Sequence, residues 1–224
     1  MAFLSSLLLF VGGLLLVRLV QLLVSVRRGQ GSAAVTPPRT VPARTMIVLG
    51  SGGHTAEMLR IVERLDGGRY SPRQYVVAST DKTSVVKVLE SEILRQPDPE
   101  KQTYEIITIP RSRDVHQSYV SSAVTTVLAL LHCVPIVLKA RPELILTNGP
   151  GTCVPVCLVA FLARLLFLNT KCRVVFIESF CRVRSLSLSG RILLYIVDMF
   201  VVQWPELLEK TSTTRQDVRC FGRL

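Results

Sequence analysis

The sequence predicts an α/β fold in which a parallel sheet is covered by helices on both faces, preceded by one N-terminal transmembrane helix. Two observations support this prediction. First, strand-like and helix-like segments alternate from residue 45 to residue 203, which is typical of parallel strands joined by crossover helices. Second, residues 2–26 form one apolar run that, as a helix, would span roughly 37 Å against about 30 Å of bilayer hydrocarbon.

The N-terminal apolar run is predicted to be an uncleaved membrane anchor over residues 1–28. Arg18 interrupts it, and we expect the flexible Arg18 side chain to reach the lipid headgroups. A cleaved signal peptide is the rival interpretation, but it needs basic residues before the apolar run, and none is present there. The basic residues come later, at Arg18, Arg27, Arg28, Arg39 and Arg44. The positive-inside rule therefore predicts a lumenal N-terminus and a cytosolic main domain.

The composition indicates a folded chain that contacts lipid. Of the 224 residues, 49% are apolar and 19% are charged, which excludes an intrinsically disordered chain. The net charge of +11 suits an anionic membrane surface, and no nucleic-acid partner is expected because no nucleic-acid-binding motif accompanies the charge. The six cysteines lack a C-x-x-C pair, so we expect buried free thiols and no metal site. No cofactor is expected.

The first half of the main domain is predicted as three strands and two helices. Residues 45–49 form a continuous apolar run, which is typical of a strand buried on both faces. Apolar residues recur at helical spacing over 55–65, and Gly67 follows as a residue that ends helices. The remaining elements are a strand at 75–79, a helix at 83–94, an exposed loop at 96–102 and a strand at 104–109.

The second half begins with a long, very apolar helix predicted at 118–139. It continues with a strand at 144–147, a helix at 154–168, a strand at 173–178, a helix at 187–197 and a strand at 199–203. The small, polar, Pro-containing residues 29–44 are predicted as a linker between the anchor and the domain, which spans 45–224. Because ligands bind beyond the carboxyl ends of parallel strands, a site is expected in the loops that follow them.

The loop after the first strand has the composition of a diphosphate-binding loop. Its candidate ligands are Ser51, Gly52, Gly53, His54 and Thr55. Glycines let the backbone approach a ligand, and the following helix N-terminus presents N–H groups and partial positive charge. His54 adds either a hydrogen-bond donor to phosphate or a base near neutral pH; a helix-capping role fits it equally well. A Walker A loop is excluded, because no Gly-Lys-[Ser/Thr] follows.

The loop after the fourth strand is the second candidate. Asn148, Gly149 and Gly151 surround a proline, and their backbone N–H groups open the next helix. A plain strand-to-helix turn is the alternative interpretation. Because strands one and four are parallel, both glycine-rich loops are expected at the same edge of the sheet.

Charged residues follow the third and fifth strands. Glu178 ends the fifth strand, where it is expected to bind a sugar hydroxyl or act as a base; its alternative is an ion pair with Arg182 or Arg184 that holds the loop. Arg111 and Arg113 follow the third strand and, with Arg182, are candidates to contact a diphosphate or anionic headgroups. For the two arginines after the third strand, the alternative is a solvated loop.

Six segments together resemble one known family. They are VLGSGGHTAEML (48–59), SPRQYVVASTD (71–81), IPRSRDVHQSY (109–119), PELILTNGPGTCVPVC (142–157), IESFCRVRSLSLSG (177–190) and DMFVVQWPEL (198–207). These segments, with the N-terminal anchor, resemble the membrane-anchoring subunits of the UDP-N-acetylglucosamine transferase of asparagine-linked glycosylation. More distantly, the GSGGH and GPG loops are similar to the acceptor half of the bacterial lipid II glucosaminyltransferase, a GT-B enzyme.

The resemblance implies a Rossmann-like domain that is the acceptor half of an inverting GT-B glycosyltransferase. Such a chain is not an enzyme on its own, and the missing half is implied to be a soluble catalytic subunit that binds UDP-GlcNAc. The implied acceptor is dolichyl-diphosphate-GlcNAc, which receives its second GlcNAc at the cytosolic face of the endoplasmic reticulum. The nuclear envelope is a further implied location.

Two alternatives come from other functional classes. One is a membrane-anchored NAD(P)-dependent oxidoreductase, since G-x-G follows the first strand and Asp81 follows the second, where an acid binds ribose. Against it, Thr55 replaces the third glycine of the fingerprint, and no Tyr-x-x-x-Lys pair lies near the later helices. The other alternative is a scaffold with a ligand-free Rossmann-like fold.

Overall fold

The computed structural model describes residues 2–28, 40–112, 119–149, 151–215 and 217–222. Its strands are β1 (Thr45–Val48), β2 (Arg73–Ala78), β3 (Tyr104–Ile109), β4 (Leu144–Asn148), β5 (Arg173–Ile177), β6 (Met199–Val202) and β7 (Arg219–Cys220). Its α-helices are α1 (Ala2–Arg28), α2 (Gly53–Glu63), α3 (Lys82–Arg95), α4 (Tyr119–Ala140), α5 (Cys153–Leu165), α6 (Leu188–Leu193) and α7 (Pro205–Ser212). Most of the predicted linker, residues 29–39, lies outside the described residues.

The strands form one parallel sheet in the order β3-β2-β1-β4-β5-β6-β7. The chain builds outward from β1 to β3 and then returns to place β4 on the other side of β1. At the carboxyl end of β1, Val48 lies opposite Val76 of β2 and Thr147 of β4. The strand order therefore reverses between β1 and β4, which is where ligands bind in open α/β sheets.

Apolar side chains fill both faces of the sheet. Met46 and Val48 of β1 pack on one face with residues of α4, α5 and α6. Ile47 and Leu49 point to the other face, toward α2 and α3. Because successive strand residues point to opposite faces, the continuous apolar run predicted for β1 is buried on both sides. The predicted parallel sheet with helices on both faces is confirmed.

The structure differs from the predicted elements mainly at their ends. β2 begins two residues before the predicted strand, α5 ends at Leu165 rather than 168, and α6 is shorter than predicted. The loop at 96–102 contains a 3₁₀ turn, Pro99–Lys101. The short α7 and β7 were not predicted. The cysteines are free thiols: Cys133, Cys153, Cys157 and Cys172 are buried, Cys220 is half-buried and Cys181 is exposed.

A buried ion pair explains why β2 begins at a charged residue. The Arg73 guanidinium donates to both carboxylate oxygens of Glu92 on α3, from Nε at 2.8 Å and Nη2 at 2.7 Å, and the Tyr75 hydroxyl donates to Oε1 as well. Burial alone would raise the pKa of Glu92, but these hydrogen bonds lower it below its ordinary value. Burial and the neighbouring carboxylate raise the pKa of Tyr75. The three side chains join β2 to α3.

The C-terminal half of α1 packs against α5. Leu22 and Val26 are buried, and Arg18 donates from Nη2 to the carbonyl oxygen of Arg164 at 3.4 Å. The Arg18 guanidinium also lies 4.5 Å from the centre of the Phe167 ring, a cation–π contact. The prediction that Arg18 reaches the headgroups is therefore corrected, because this side chain is used to dock the helix. Residues 4–27 remain long and apolar enough to be a candidate membrane span.

Candidate functional site

A cleft of about 460 Å³ opens at the carboxyl edge of the sheet, where the loops after β1, β4 and β5 meet. Its lining residues are Gly53, His54, Glu57, Gly149, Glu178, Ser179, Cys181, Arg182 and Ser187. Five of them were site candidates from the sequence, namely Gly53, His54, Gly149, Glu178 and Arg182. The parallel topology therefore brings three separate sequence segments into one site.

His54 is held between two glycines from different loops. A Cβ on Gly50 would lie 2.9 Å from the His54 Cβ, and a Cβ on Gly149 would lie 2.9 Å from the His54 Cγ. Gly149 also has φ +93, a conformation that side-chain-bearing residues rarely adopt. These two glycines are therefore needed for the imidazole to fit, a role that the sequence did not reveal.

Gly52 and Gly53 have a different environment. Both are exposed, and no atom lies within 4 Å of the position where either would carry a Cβ. They open α2, whose first N–H groups have no partner within the helix itself. The backbone at this helix start is therefore accessible to an anion, as the sequence predicts for a diphosphate.

Glu57 is a site residue that sequence reasoning missed. It lies one helical turn after His54, and its Oε2 is 3.7 Å from the His54 Nδ1. Asn148 Nδ2 donates to the same oxygen at 2.9 Å, and Ser179 Oγ donates to Oε1 at 3.2 Å. Burial would raise the pKa of Glu57, but the contact with His54 and these hydrogen bonds lower it below its ordinary value. The i, i+3 spacing of His and Glu was the available sequence signal.

Two of the predicted diphosphate ligands have side chains that are bonded inside the protein. The Thr55 hydroxyl is fully buried, donates to the Gly50 carbonyl oxygen and lies 2.6 Å from Ser84 Oγ. Asn148 is also fully buried, with its amide nitrogen on Glu57. The structure gives these side chains a supporting role, which leaves only the backbone of the two residues for a ligand.

Glu178 is buried at the wall of the cleft and accepts hydrogen bonds from its own loop. The backbone N–H of Ser179 donates to Oε1 at 3.0 Å, and the N–H and hydroxyl of Ser187 donate to Oε2 at 2.9 and 3.0 Å. A Cβ on Gly190 would lie 2.3 Å from the same Oε2. Among the described residues no ion pair joins Glu178 to Arg182 or Arg184. The alternative expectation of such a pair is therefore wrong, and N–H groups hold this carboxylate.

The predicted arginines are distributed around the entrance. Arg111 donates from Nη2 to Ser51 Oγ at 3.2 Å, which joins the loop after β3 to the loop after β1. Arg182 is exposed at the cleft. Gly151, a predicted diphosphate ligand from the loop after β4, donates its backbone N–H to Ser189 Oγ at 3.3 Å. Arg113, another predicted contact, lies outside the described residues.

Asp81, on which the oxidoreductase alternative depends, caps a helix. Its carboxylate accepts from the Ser84 N–H at 3.1 Å and from the Ser84 hydroxyl at 2.6 Å, at the start of α3. These bonds are those of an N-cap residue, which stabilises the first turn. The acid that would bind a ribose is thus already committed to the fold.

The chain is similar to known proteins of one family along most of its length. A family model described as "Oligosaccharide biosynthesis protein Alg14 like" matches residues 45–222. A Rattus norvegicus protein named UDP-N-acetylglucosamine transferase subunit ALG14 is 45% identical over 202 residues, which cover 89% of this chain and 90% of that protein. A Candida albicans protein with the same name is 48% identical over 167 residues, covering 74% of this chain and 73% of that one.

The solved structure of Acinetobacter baumannii MurG shares the fold. The TM-score is 0.53 at 15% sequence identity, and the match covers 74% of this chain but 42% of the MurG chain. The chain thus spans less than half the length of this structure. The family model and the relatives agree along almost the whole domain, and the chain therefore belongs to the Alg14-like family of oligosaccharide biosynthesis proteins.

Proposed function

We propose that the chain is the membrane-anchoring, acceptor-side subunit of a heteromeric UDP-N-acetylglucosamine transferase. It recruits a soluble catalytic subunit that binds UDP-GlcNAc to the cytosolic face of the endoplasmic reticulum. The complex transfers the second GlcNAc to dolichyl-diphosphate-GlcNAc during protein N-glycosylation. In this proposal residues 1–28 are the anchor, with the N-terminus in the lumen, and residues 45–224 are the acceptor-side domain.

One observation carries this proposal: the relatives are named UDP-N-acetylglucosamine transferase subunits, a name that implies a partner chain. The structural match, which covers 42% of the MurG chain, is consistent with it. A GT-B enzyme closes its active site between two Rossmann-like halves. The cleft of this chain lies at the carboxyl edge of a single sheet, and its lining residues come from the loops after β1, β4 and β5. A second half, supplied by a partner, completes such a site.

The cleft has suitable groups for an acceptor diphosphate. The accessible start of α2 at Gly52 and Gly53 presents N–H groups and a partial positive charge, and Arg182 adds a full positive charge at the entrance. In the transfer, the acceptor hydroxyl oxygen bonds to the anomeric carbon of the donor, and UDP leaves with the electrons of the broken bond. The hydroxyl proton passes to a base, for which His54 and Glu178 are the candidates at this cleft.

Reconstitution tests the division of labour between the two subunits. The purified chain alone should transfer no GlcNAc from UDP-GlcNAc to a short polyprenyl-diphosphate-GlcNAc, because it holds no complete donor site. Adding a soluble UDP-GlcNAc-binding protein that copurifies with the chain should produce transfer, measured as the disaccharide product. Titration with NADH is the control for the oxidoreductase alternative. Robust turnover by the single chain would overturn the proposal.

Two deletions test the anchor. Because part of α1 packs on α5, we expect both deletions to release the chain from the membrane but only the longer one to lower its melting temperature. Removing residues 2–17 should move the chain from the membrane pellet to the soluble fraction, because it removes the exposed apolar part of α1 but keeps Leu22 and Val26 on α5. Removing residues 1–28 should also release the chain but lower its melting temperature. Arg18→Ala, which leaves the apolar run intact, should stay in the pellet. A chain lacking residues 2–17 that resists extraction by salt would contradict the anchor.

A further inference from the structure

We infer that Glu57 is a positioning residue that keeps the proton of the neutral His54 imidazole on Nδ1, so that Nε2 faces the cleft as a base. The inference rests on the proposed function, because it assigns a task to the cleft in which the acceptor is held. It concerns a carboxylate that neither the diphosphate loop nor the family resemblance singled out.

The environment of the His54 ring supports this orientation. Nδ1 is buried and has no hydrogen-bond partner among the described residues, and the Glu57 Oε2 lies 3.7 Å from it. This distance exceeds a hydrogen bond by about half an ångström, but the negative charge of the carboxylate still favours a proton on the ring nitrogen that faces it. A Cβ on Gly149 would meet the His54 Cγ and Cδ2, so this glycine packs beside the ring edge that lies away from Nδ1. Because Nδ1 faces Glu57, Nε2 is the ring nitrogen left for the cleft.

Glu57 itself is fixed from two further loops. Asn148, at the end of β4, donates to one carboxylate oxygen, and Ser179, after β5, donates to the other. These bonds favour the ionised carboxylate and hold it beside Nδ1. A single acidic side chain therefore connects the three loops that form the cleft.

Other charged or titratable groups around His54 come from different elements. Glu178, Cys181 and Arg182 line the same cleft from the loop after β5, and Arg111 reaches Ser51 from the loop after β3. Glu57 differs from these groups because it forms the contact with Nδ1. A neutral imidazole is more stable with its proton on the nitrogen that faces a negative charge, so a carboxylate beside Nδ1 leaves the lone pair on Nε2.

This arrangement suits removal of a proton from the acceptor. As the acceptor oxygen bonds to the anomeric carbon and UDP departs, the hydroxyl proton moves to Nε2. The resulting imidazolium carries positive charge next to the Glu57 carboxylate, which stabilises it. Histidine–carboxylate pairs in hydrolases act by the same physical principle.

The tautomer of His54 gives a direct test that needs no substrate. ¹⁵N NMR of the full-length, ¹⁵N-histidine-labelled chain in detergent reports which ring nitrogen carries the proton, and His54→Gln assigns the signal. The native chain should show the Nδ1–H form, and Glu57→Gln should shift the population toward Nε2–H. Glu63→Gln, an exposed residue at the end of the same helix, is the matched control and should leave the signal unchanged.

Kinetics of the reconstituted complex provide the second readout. Glu57→Gln should lower kcat by about 10–100-fold, the usual cost of losing a group that orients a neighbouring functional one, with little change in the KM for the acceptor. Its melting temperature should stay close to native, since the new side chain still accepts from Asn148 or Ser179. Glu63→Gln should keep native kcat.

The outcomes separate this inference from the proposed function. An unchanged His54 tautomer in Glu57→Gln overturns the inference, even if the complex is an active transferase. A fall in melting temperature with unchanged kcat in Glu57→Gln overturns it as well, because the role is then structural. If the native complex transfers no sugar, the proposed function fails, whereas a shifted tautomer still supports the contact between Glu57 and His54.

Discussion

Replacing His54 by alanine should lower the transfer rate of the reconstituted complex by about 10²-fold or more if its imidazole is the base. The ring lies at the cleft with its Nδ1 facing Glu57, and the truncation removes the group that would take the acceptor proton. If the imidazole only positions phosphate, the loss is smaller. Initial rates of GlcNAc transfer, measured with equal amounts of assembled complex, check the prediction.

The same experiment separates catalysis from folding. Because the His54 ring packs on Gly50 and Gly149, the alanine variant also loses packing contacts, so His54→Gln is the better-matched replacement by volume. Both variants should still capture the partner in a pull-down, and the glutamine variant should melt near the native temperature. If His54 only caps the helix, the melting temperature falls and the specific activity stays near normal. An unchanged rate in both variants removes His54 from the site.

Replacing Glu92 by alanine should lower the free energy of unfolding by about 3–5 kcal/mol, because it leaves the Arg73 charge buried without a partner. Both side chains of the pair are almost fully buried, so solvent does not compensate for the loss. Urea denaturation of the chain lacking residues 2–17 measures this change. The double variant Arg73→Met/Glu92→Leu should lose less stability than Glu92→Ala, since no unpaired charge remains. If Glu92→Ala lowers the free energy of unfolding by less than about 1 kcal/mol, the Arg73–Glu92 pair contributes no more than an exposed ion pair does, and the prediction is wrong.

Acid should remove the contribution of the Arg73–Glu92 ion pair to the free energy of unfolding. The pKa of Glu92 is lower in the folded chain than its ordinary value, so its stabilising effect is complete above the unfolded pKa of about 4.3. The effect is lost as the pH falls below that value toward the lower folded pKa. The native chain should therefore lose stability over this range more steeply than Glu92→Gln, whose side chain does not titrate.

Much of the fold could be predicted because it depends on local patterns. The run Thr45–Val48 is apolar throughout and becomes a strand buried on both faces, as its composition indicates. The start of β2 could not be predicted, since Arg73 is tolerated there only because Glu92 lies against it, 19 positions along the chain. Trp204 and Pro205 carried a helix-start signal, with Pro at the first helical position, but α7 is only eight residues long.

The sequence predicts which loops form the candidate site, but it does not predict the contacts that individual side chains make there. Parallel strands place the loops after β1, β4 and β5 at one edge, which is why His54, Gly149 and Glu178 meet. Sequence does not reveal that the Thr55 side chain points into the protein. Such details depend on packing between distant segments.

The docking of α1 on α5 means that the domain is joined to its N-terminal helix by packing as well as by the covalent linker. If residues 29–44 were the only tether, the cleft could sample many distances and orientations relative to the bilayer. The packing of α1 on α5, with Arg18 bonded to Arg164 and with Leu22 and Val26 buried, gives the domain a second connection to this helix. If α1 is the anchor that we propose, this packed interface sets the height and tilt of the cleft above the lipid. In the proposed function, the distance between the cleft and a lipid-linked acceptor would then depend on this interface and not on the length of the covalent linker.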